Sequence, residues 1–203
     1  MMSFDTMKKT SKYLRNIQVM VVDNDQNIVD LLIKVLKYFG FSQIFGARDG
    51  FQSLRIMHEQ DIDLVITDWD LQPMKEDLIA NLPPNPIIRS EQWSPAPPSS
   101  GASFVRYLRA SRYSPNHYIP VIMMTDLGLQ NSVQYARDSG VNEILLKPIC
   151  VESLCARIIH IIDAPRPFIT ADCYKGPCRR THDSTQHQPE RRKHDIKIFR
   201  HTG

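Results

Sequence analysis

Four side chains with chemistry to offer stand at the ends of four apolar runs in this chain of 203 residues. Ile17-Gln18-Val19-Met20-Val21-Val22 stops on Asp23-Asn24-Asp25, and Leu64-Val65-Ile66-Thr67 stops on Asp68-Trp69-Asp70. Val121-Ile122-Met123-Met124 stops on Thr125-Asp126, and Ile144-Leu145-Leu146 on Lys147-Pro148. Gathered in one place, these would make an acidic cup with a hydroxyl and an ammonium on its rim. Carboxylates so placed would repel a phosphate that brought no metal with it.

What could gather them is a sheet. Short β-branched apolar runs separated by helical patterns read as buried parallel strands. In an open parallel sheet all carboxyl ends lie on one edge, and ligands bind there at the switch point. Between the runs the apolar spacing predicts helices. The first starts near Gln26 behind the cap Asp25, with Ile28, Leu31, Leu32, Val35, Leu36 and Phe39 on one face and Gly40 as its left-handed stop. Others are predicted over 50–59, from Gly101 to near Arg112, over 129–139 and over 151–163, with a weaker strand over 42–47. Five strands alternating with five helices give an α/β class. Its simplest form is a flavodoxin-like doubly wound five-stranded parallel sheet, order 2-1-3-4-5.

Composition bounds the rest. Six of the fourteen prolines (Pro83, Pro84, Pro86, Pro95, Pro97, Pro98) fall within 75–100, which reads as an inserted loop, disordered or functional, with one helical turn around 76–81. Residues 1–15 form a polar lead-in, 16–164 the main domain and 165–203 a basic tail. That tail holds nine Lys/Arg against four Asp/Glu, while the body is mildly acidic. No apolar run is long enough to cross a bilayer, and the start lacks the apolar core of a signal peptide. Four cysteines without such a signal point to reduced thiols in a cytoplasm.

With these residues in view, positions 16–163 resemble the receiver domain of bacterial two-component response regulators, because four separate motifs occur in order, each at a strand end. The resemblance implies that Asp68 is the phospho-acceptor, charged by a sensor histidine kinase or phosphotransfer protein. It implies Mg2+ (or Mn2+) held by Asp23, Asn24, Asp68 and the backbone carbonyl of Asp70. Lys147 would pair with phosphoryl oxygens, Thr125 would be the switch hydroxyl, and Pro148 would follow a cis bond. Taken singly, an Asp after a strand is more often a cap or turn residue, and Lys-Pro is a common loop dipeptide. Their joint order is what argues for the family.

Several positions depart from the family pattern. Asn24 replaces the second of two adjacent carboxylates, so one ligand charge is lost and metal affinity should fall. Asp70 would place a carboxylate near the phosphoryl group and hinder an attacking water, which predicts slow self-dephosphorylation. Ile144 stands where many receivers keep a Tyr or Phe that rotates inward. The family's post-acceptor loop is split between Gln72-Pro73-Met74 and Gly101 by the insertion.

The tail carries Gly176-Pro177-Cys178-Arg179-Arg180 and resembles that of a subgroup of stand-alone bacterial receivers with a Gly-Pro-x-Arg-Arg ending. It is too short for an effector domain of ordinary size. A basic arm can bind nucleic acid through phosphates; a solvated or self-docking tail is the plainer expectation. Cys173, Cys178, His182 and His187 have the wrong spacing for a zinc finger. Cys150 and Cys155 read as buried or partly buried thiols of the last helix.

The resulting expectation is a single-domain response regulator, a phosphorylation switch rather than a turnover enzyme. Its output would be contact with a downstream protein through the face of the fourth helix, fifth strand and fifth helix. The alternative is a receiver-like adaptor that binds its partner unphosphorylated, with Asn24 and the insertion as signs of decay. A flavodoxin-type cofactor protein fits worse, since no phosphate-cradling loop follows the first strand.

Overall fold

The computed structural model describes residues 14–71, 101–111, 113–126, 130–171, 174–179 and 197–199. Five parallel strands, β1 (Gln18–Val22), β2 (Gln43–Ala47), β3 (Leu64–Asp68), β4 (Val121–Asp126) and β5 (Glu143–Lys147), form one sheet in the order β2-β1-β3-β4-β5. Helices α1 (Gln26–Tyr38), α2 (Gly50–Glu59), α3 (Gly101–Ala110), α4 (Gln130–Ser139) and α5 (Val151–Asp163) connect or follow them. This is the flavodoxin-like topology expected from the alternation of periods.

The pleat divides the apolar residues into two cores. Val19, Val21, Leu64, Ile66, Ile122 and Met124 face α1 and α5, where Val29, Leu32, Leu36, Leu154 and Ile158 meet them. Met20, Val22, Val65, Val121 and Met123 face α2, α3 and α4, where Leu54, Phe104, Leu108 and Ala136 lie. Covered on both faces, the central strands need apolar residues at every position, which is why they are continuous runs rather than alternating ones.

Local chemistry sets the helix ends. Asp25 caps α1 by accepting from the Asn27 amide, and Asp49 caps α2 by accepting from the amides of Phe51 and Gln52. Gly40, at φ 101°, takes the left-handed turn that stops α1. One core assignment fails: Leu31 is 55% exposed, and the buried line of α1 runs through Val29, Leu32 and Leu36. Two positions beyond Val29, Leu31 falls on the far side of the helix.

β6 (Phe168–Ala171), β7 (Tyr174–Pro177) and β8 (Lys197–Phe199) form a second, antiparallel sheet ordered β7-β6-β8. Phe168 sits opposite both Pro177 and Phe199. Strands of three or four residues give little periodicity to read; among them β7 packs against α3 and α4. Cys155 is buried as expected, but Cys150 is exposed, because it precedes α5 as the cap residue and its thiol points to Glu152. The insertion 75–100 with its proposed turn, the lead-in up to residue 13, and Cys173, His182 and His187 lie outside the described residues. Among the described residues no helix is long and apolar enough to cross a membrane.

Candidate functional site

The strand order puts the end of β1 beside the end of β3, with β4 and β5 next in line, so the four chemical side chains share one edge at the switch point. Lys147 reaches back over this edge. Its Nζ lies 2.9 Å from Asp68 Oδ1 and 3.6 Å from Asp23 Oδ2. The first is a charge-assisted hydrogen bond, and the second is too long for one and acts as a through-space ion pair. Asp23, Asp68 and Thr125 are all buried, Asp23 to 1% exposure.

Backbone groups hold the carboxylates in place. The Asp25 amide donates to Asp23 Oδ1 at 2.9 Å, and the Asp70 amide to Asp68 Oδ2 at 3.3 Å. Asp70 itself is exposed. The Trp69 amide donates to Met124 O at 2.8 Å, fixing the turn after β3 against β4. Gly101, the first residue of α3, is pressed against that turn: its amide donates to Trp69 O at 2.7 Å. A Cβ there would stand 1.9 Å from the Asp68 carbonyl oxygen, so only glycine fits. The Lys147–Pro148 peptide bond is cis.

The electrostatics are those of two buried carboxylates facing one ammonium. Burial raises the Asp23 carboxyl above its ordinary value, and the neighbouring Asp68 charge adds to the rise, against the opposing effects of the Asp25 amide and Lys147. Burial alone would lower Lys147, but the hydrogen bond and charge of Asp68, with Asp23 and Asp126, push it above its ordinary value. Asp23 Oδ2 is buried and accepts no hydrogen bond. An unsatisfied carboxylate oxygen beside a second carboxylate fits a hard divalent cation. Among the described residues no three His, Cys, Asp or Glu side chains cluster, so such an ion would rely on Asp23 and Asp68 plus amide and carbonyl oxygens.

Of the residues singled out in the sequence, Asp23, Asp68 and Lys147 are in mutual reach, and Thr125 is buried at the adjacent end of β4. Asn24 follows Asp23 half-buried, its carbonyl accepting from Arg48 at 3.3 Å. Ile144 is half-buried against the α3–α4 core. Sequence reasoning passed over Trp69 and Tyr135, whose rings meet edge-to-face at 5.9 Å between the turn after β3 and α4. The Tyr135 hydroxyl also takes a 3.0 Å hydrogen bond from Arg106 of α3. An aromatic right after Asp68 was the available signal.

A doubly wound sheet whose switch-point edge carries two buried carboxylates bridged by a lysine defines the class as CheY-like. The comparisons agree. A probable chemotaxis protein CheY of Rhizobium etli is 31% identical over 149 residues, covering 73% of this chain and 94% of that protein. The chemotaxis protein CheY of Pseudomonas aeruginosa is 22% identical over 146 residues, 72% of this chain and 96% of that one. Among solved structures, a response regulator receiver protein from Pseudomonas putida superposes with a TM-score of 0.53 at 24% identity, covering 70% of this chain and 95% of its own. Vibrio cholerae CheY4 gives 0.53 at 20% identity, covering 71% and 98%. No family model matches the chain. The chain belongs to the receiver family of two-component response regulators.

Proposed function

We propose that the protein is a single-domain response regulator that accepts a phosphoryl group on Asp68 and signals by protein–protein contact. A carboxylate oxygen of Asp68 attacks the phosphorus of a phosphohistidine on a sensor kinase or phosphotransfer protein. The O–P bond forms as the P–N bond breaks, and the electron pair leaves with the imidazole, which picks up a proton. Lys147, already beside Asp68, is placed to shift onto the new phosphoryl oxygens, and Thr125 to donate its hydroxyl to them. Asp23, Asn24, Asp68 and the Asp70 carbonyl would hold Mg2+ (or Mn2+), which when bound offsets the charge of the incoming group.

The observation that carries this reading is the single ammonium of Lys147 facing both Asp23 and Asp68 across three strand ends. Phosphorylation removes the anionic partner of Lys147 and replaces it with a larger anion, a local charge event able to bias the face of α4, β5 and α5. Leu146 and Val151 are exposed apolar residues on that face, suited to a protein partner in the cytoplasm. The test is incubation with acetyl phosphate and Mg2+ followed by intact mass. One added phosphoryl group, absent in Asp68→Asn, is the expected result. No adduct in the parent chain overturns the reading and leaves the phosphorylation-independent adaptor, which the loss of a carboxylate at Asn24 favours.

A further inference from the structure

The tail motif has a seat on the body. Arg179 extends its guanidinium to the C-terminal end of α4, where Nη2 donates to Arg137 O at 2.8 Å and pairs with Asp138 Oδ1 at 2.8 Å. The same guanidinium lies over the Tyr174 ring, its carbon 4.3 Å from the ring centre. Gly176 lies against Gly140, the residue that ends α4. A Cβ on Gly176 would fall 2.8 Å from Gly140 Cα, and one on Gly140 would fall 2.6 Å from Lys175 O. Two glycines thus let backbone meet backbone. Pro177 pairs with Phe168, whose ring covers the buried guanidinium of Arg109 at 5.0 Å. Each residue of Tyr174-x-Gly176-Pro177-x-Arg179 therefore has a contact to make.

α4 is also touched from the other direction. Tyr135, in the same helix, packs on Trp69, the residue next to Asp68, at the opposite edge of the sheet from these contacts. Held by the acceptor turn through Tyr135 and by the tail through Arg137, Asp138 and Gly140, α4 joins the two. With Ile144 in place of a switch aromatic, this is the physical route on which both sites can bias one element.

We infer that the hairpin of β6 and β7 is an intramolecular latch that holds α4 in its unphosphorylated position and is loosened when Asp68 is phosphorylated. The inference rests on the proposed phospho-acceptor role. Because binding couplings are reciprocal, weakening the latch must favour the phosphorylated form by the factor with which phosphorylation weakens the latch.

The experiment uses the full chain, with beryllium fluoride and Mg2+ as a non-transferable phosphoryl mimic, and amide hydrogen exchange read by mass spectrometry. Amides within 174–179 and 137–140 should exchange roughly fivefold or more faster in the bound state, with no change in Asp68→Asn. Arg179→Ala removes a side chain that is 42% exposed, so the fold should survive; its hairpin should exchange fast without ligand. It should also bind beryllium fluoride more tightly by the same factor. Arg179→Lys, which keeps the charge facing Asp138, should restore part of both effects. If the parent chain gains a phosphoryl group from acetyl phosphate, yet exchange at 174–179 is unmoved and Arg179→Ala binds the mimic with parental affinity, the latch is overturned and the acceptor role stands. If neither adduct nor mimic binding occurs, both fall together.

Discussion

At the scale of single residues, Asp23 shows function opposing stability. Its raised carboxyl means that folding favours the neutral form, so the ionised form costs stability. That contribution is favourable below the ordinary carboxyl value and lost as pH rises through the raised one. Asp23→Asn should therefore unfold at a higher temperature than the parent at pH 7 without divalent metal, by a few degrees (about 2–4 °C per kcal/mol for a chain of this size). The gap should shrink as pH falls towards 4, and Mg2+ should raise the melting temperature of the parent only. A thermal scan at three pH values, with and without Mg2+, checks this. Gly101 makes the opposite case, a residue with no side chain that sets the backbone geometry at Asp68. Gly101→Ala forces the Asp68 carbonyl to move and should cost about 2 kcal/mol or more in denaturant unfolding, together with loss of acetyl phosphate reactivity. At Asp70 one charge is at stake. Asp70→Asn should shorten the lifetime of the phosphorylated form about fivefold, the worth of roughly 1 kcal/mol between nearby charges; an unchanged decay rate would dismiss a role for that carboxylate.

At the scale of elements, β1, β3 and β4 were legible because burial on both faces leaves a continuous apolar run ending on a polar residue. The chemical residues were legible for the same reason: parallel strands put every run's end on one edge. Arg109 was not legible. It sits among apolar residues of α3 at 2% exposure, and its partners are all remote in sequence. The guanidinium donates to Gly140 O at 3.0 Å, His117 O at 3.0 Å and Ile119 O at 2.8 Å, closing the amino edge of the sheet between α3 and the start of β5. Burial pushes it down to about 9, with Tyr174 opposing the fall, so it stays charged at neutral pH. No periodicity marks an arginine that satisfies loop carbonyls. Arg109→Leu keeps the apolar stem volume but orphans three carbonyls, and should destabilise the protein by about 3 kcal/mol in urea unfolding. A loss under about 1 kcal/mol would mean that water replaces the guanidinium without penalty.

At the scale of the whole molecule, contacts cross the boundary drawn near residue 164 from the end of the last helical pattern. Beyond it, Arg166 donates to Glu143 Oε1 at 2.7 Å, while Arg157 of α5 holds the other oxygen of this buried carboxylate. Phe168 buries its ring over Arg109 and against Tyr118, 5.4 Å away and edge-on. Burying a phenylalanine contributes about 2–3 kcal/mol, and uncovering Glu143 and Arg109 adds the loss of paired partners. A chain ending at Ala164 should therefore melt roughly 5–10 °C below the full chain, while a chain ending at Arg179 keeps the β6–β7 pairing and should lose only a few degrees with β8 gone. Placing the stop between these two points separates the contributions. Should the chains ending at 164 and 179 melt together, the hairpin would be a passenger on the receiver. A gap confined to the shorter chain would make residues 165–179 part of its core.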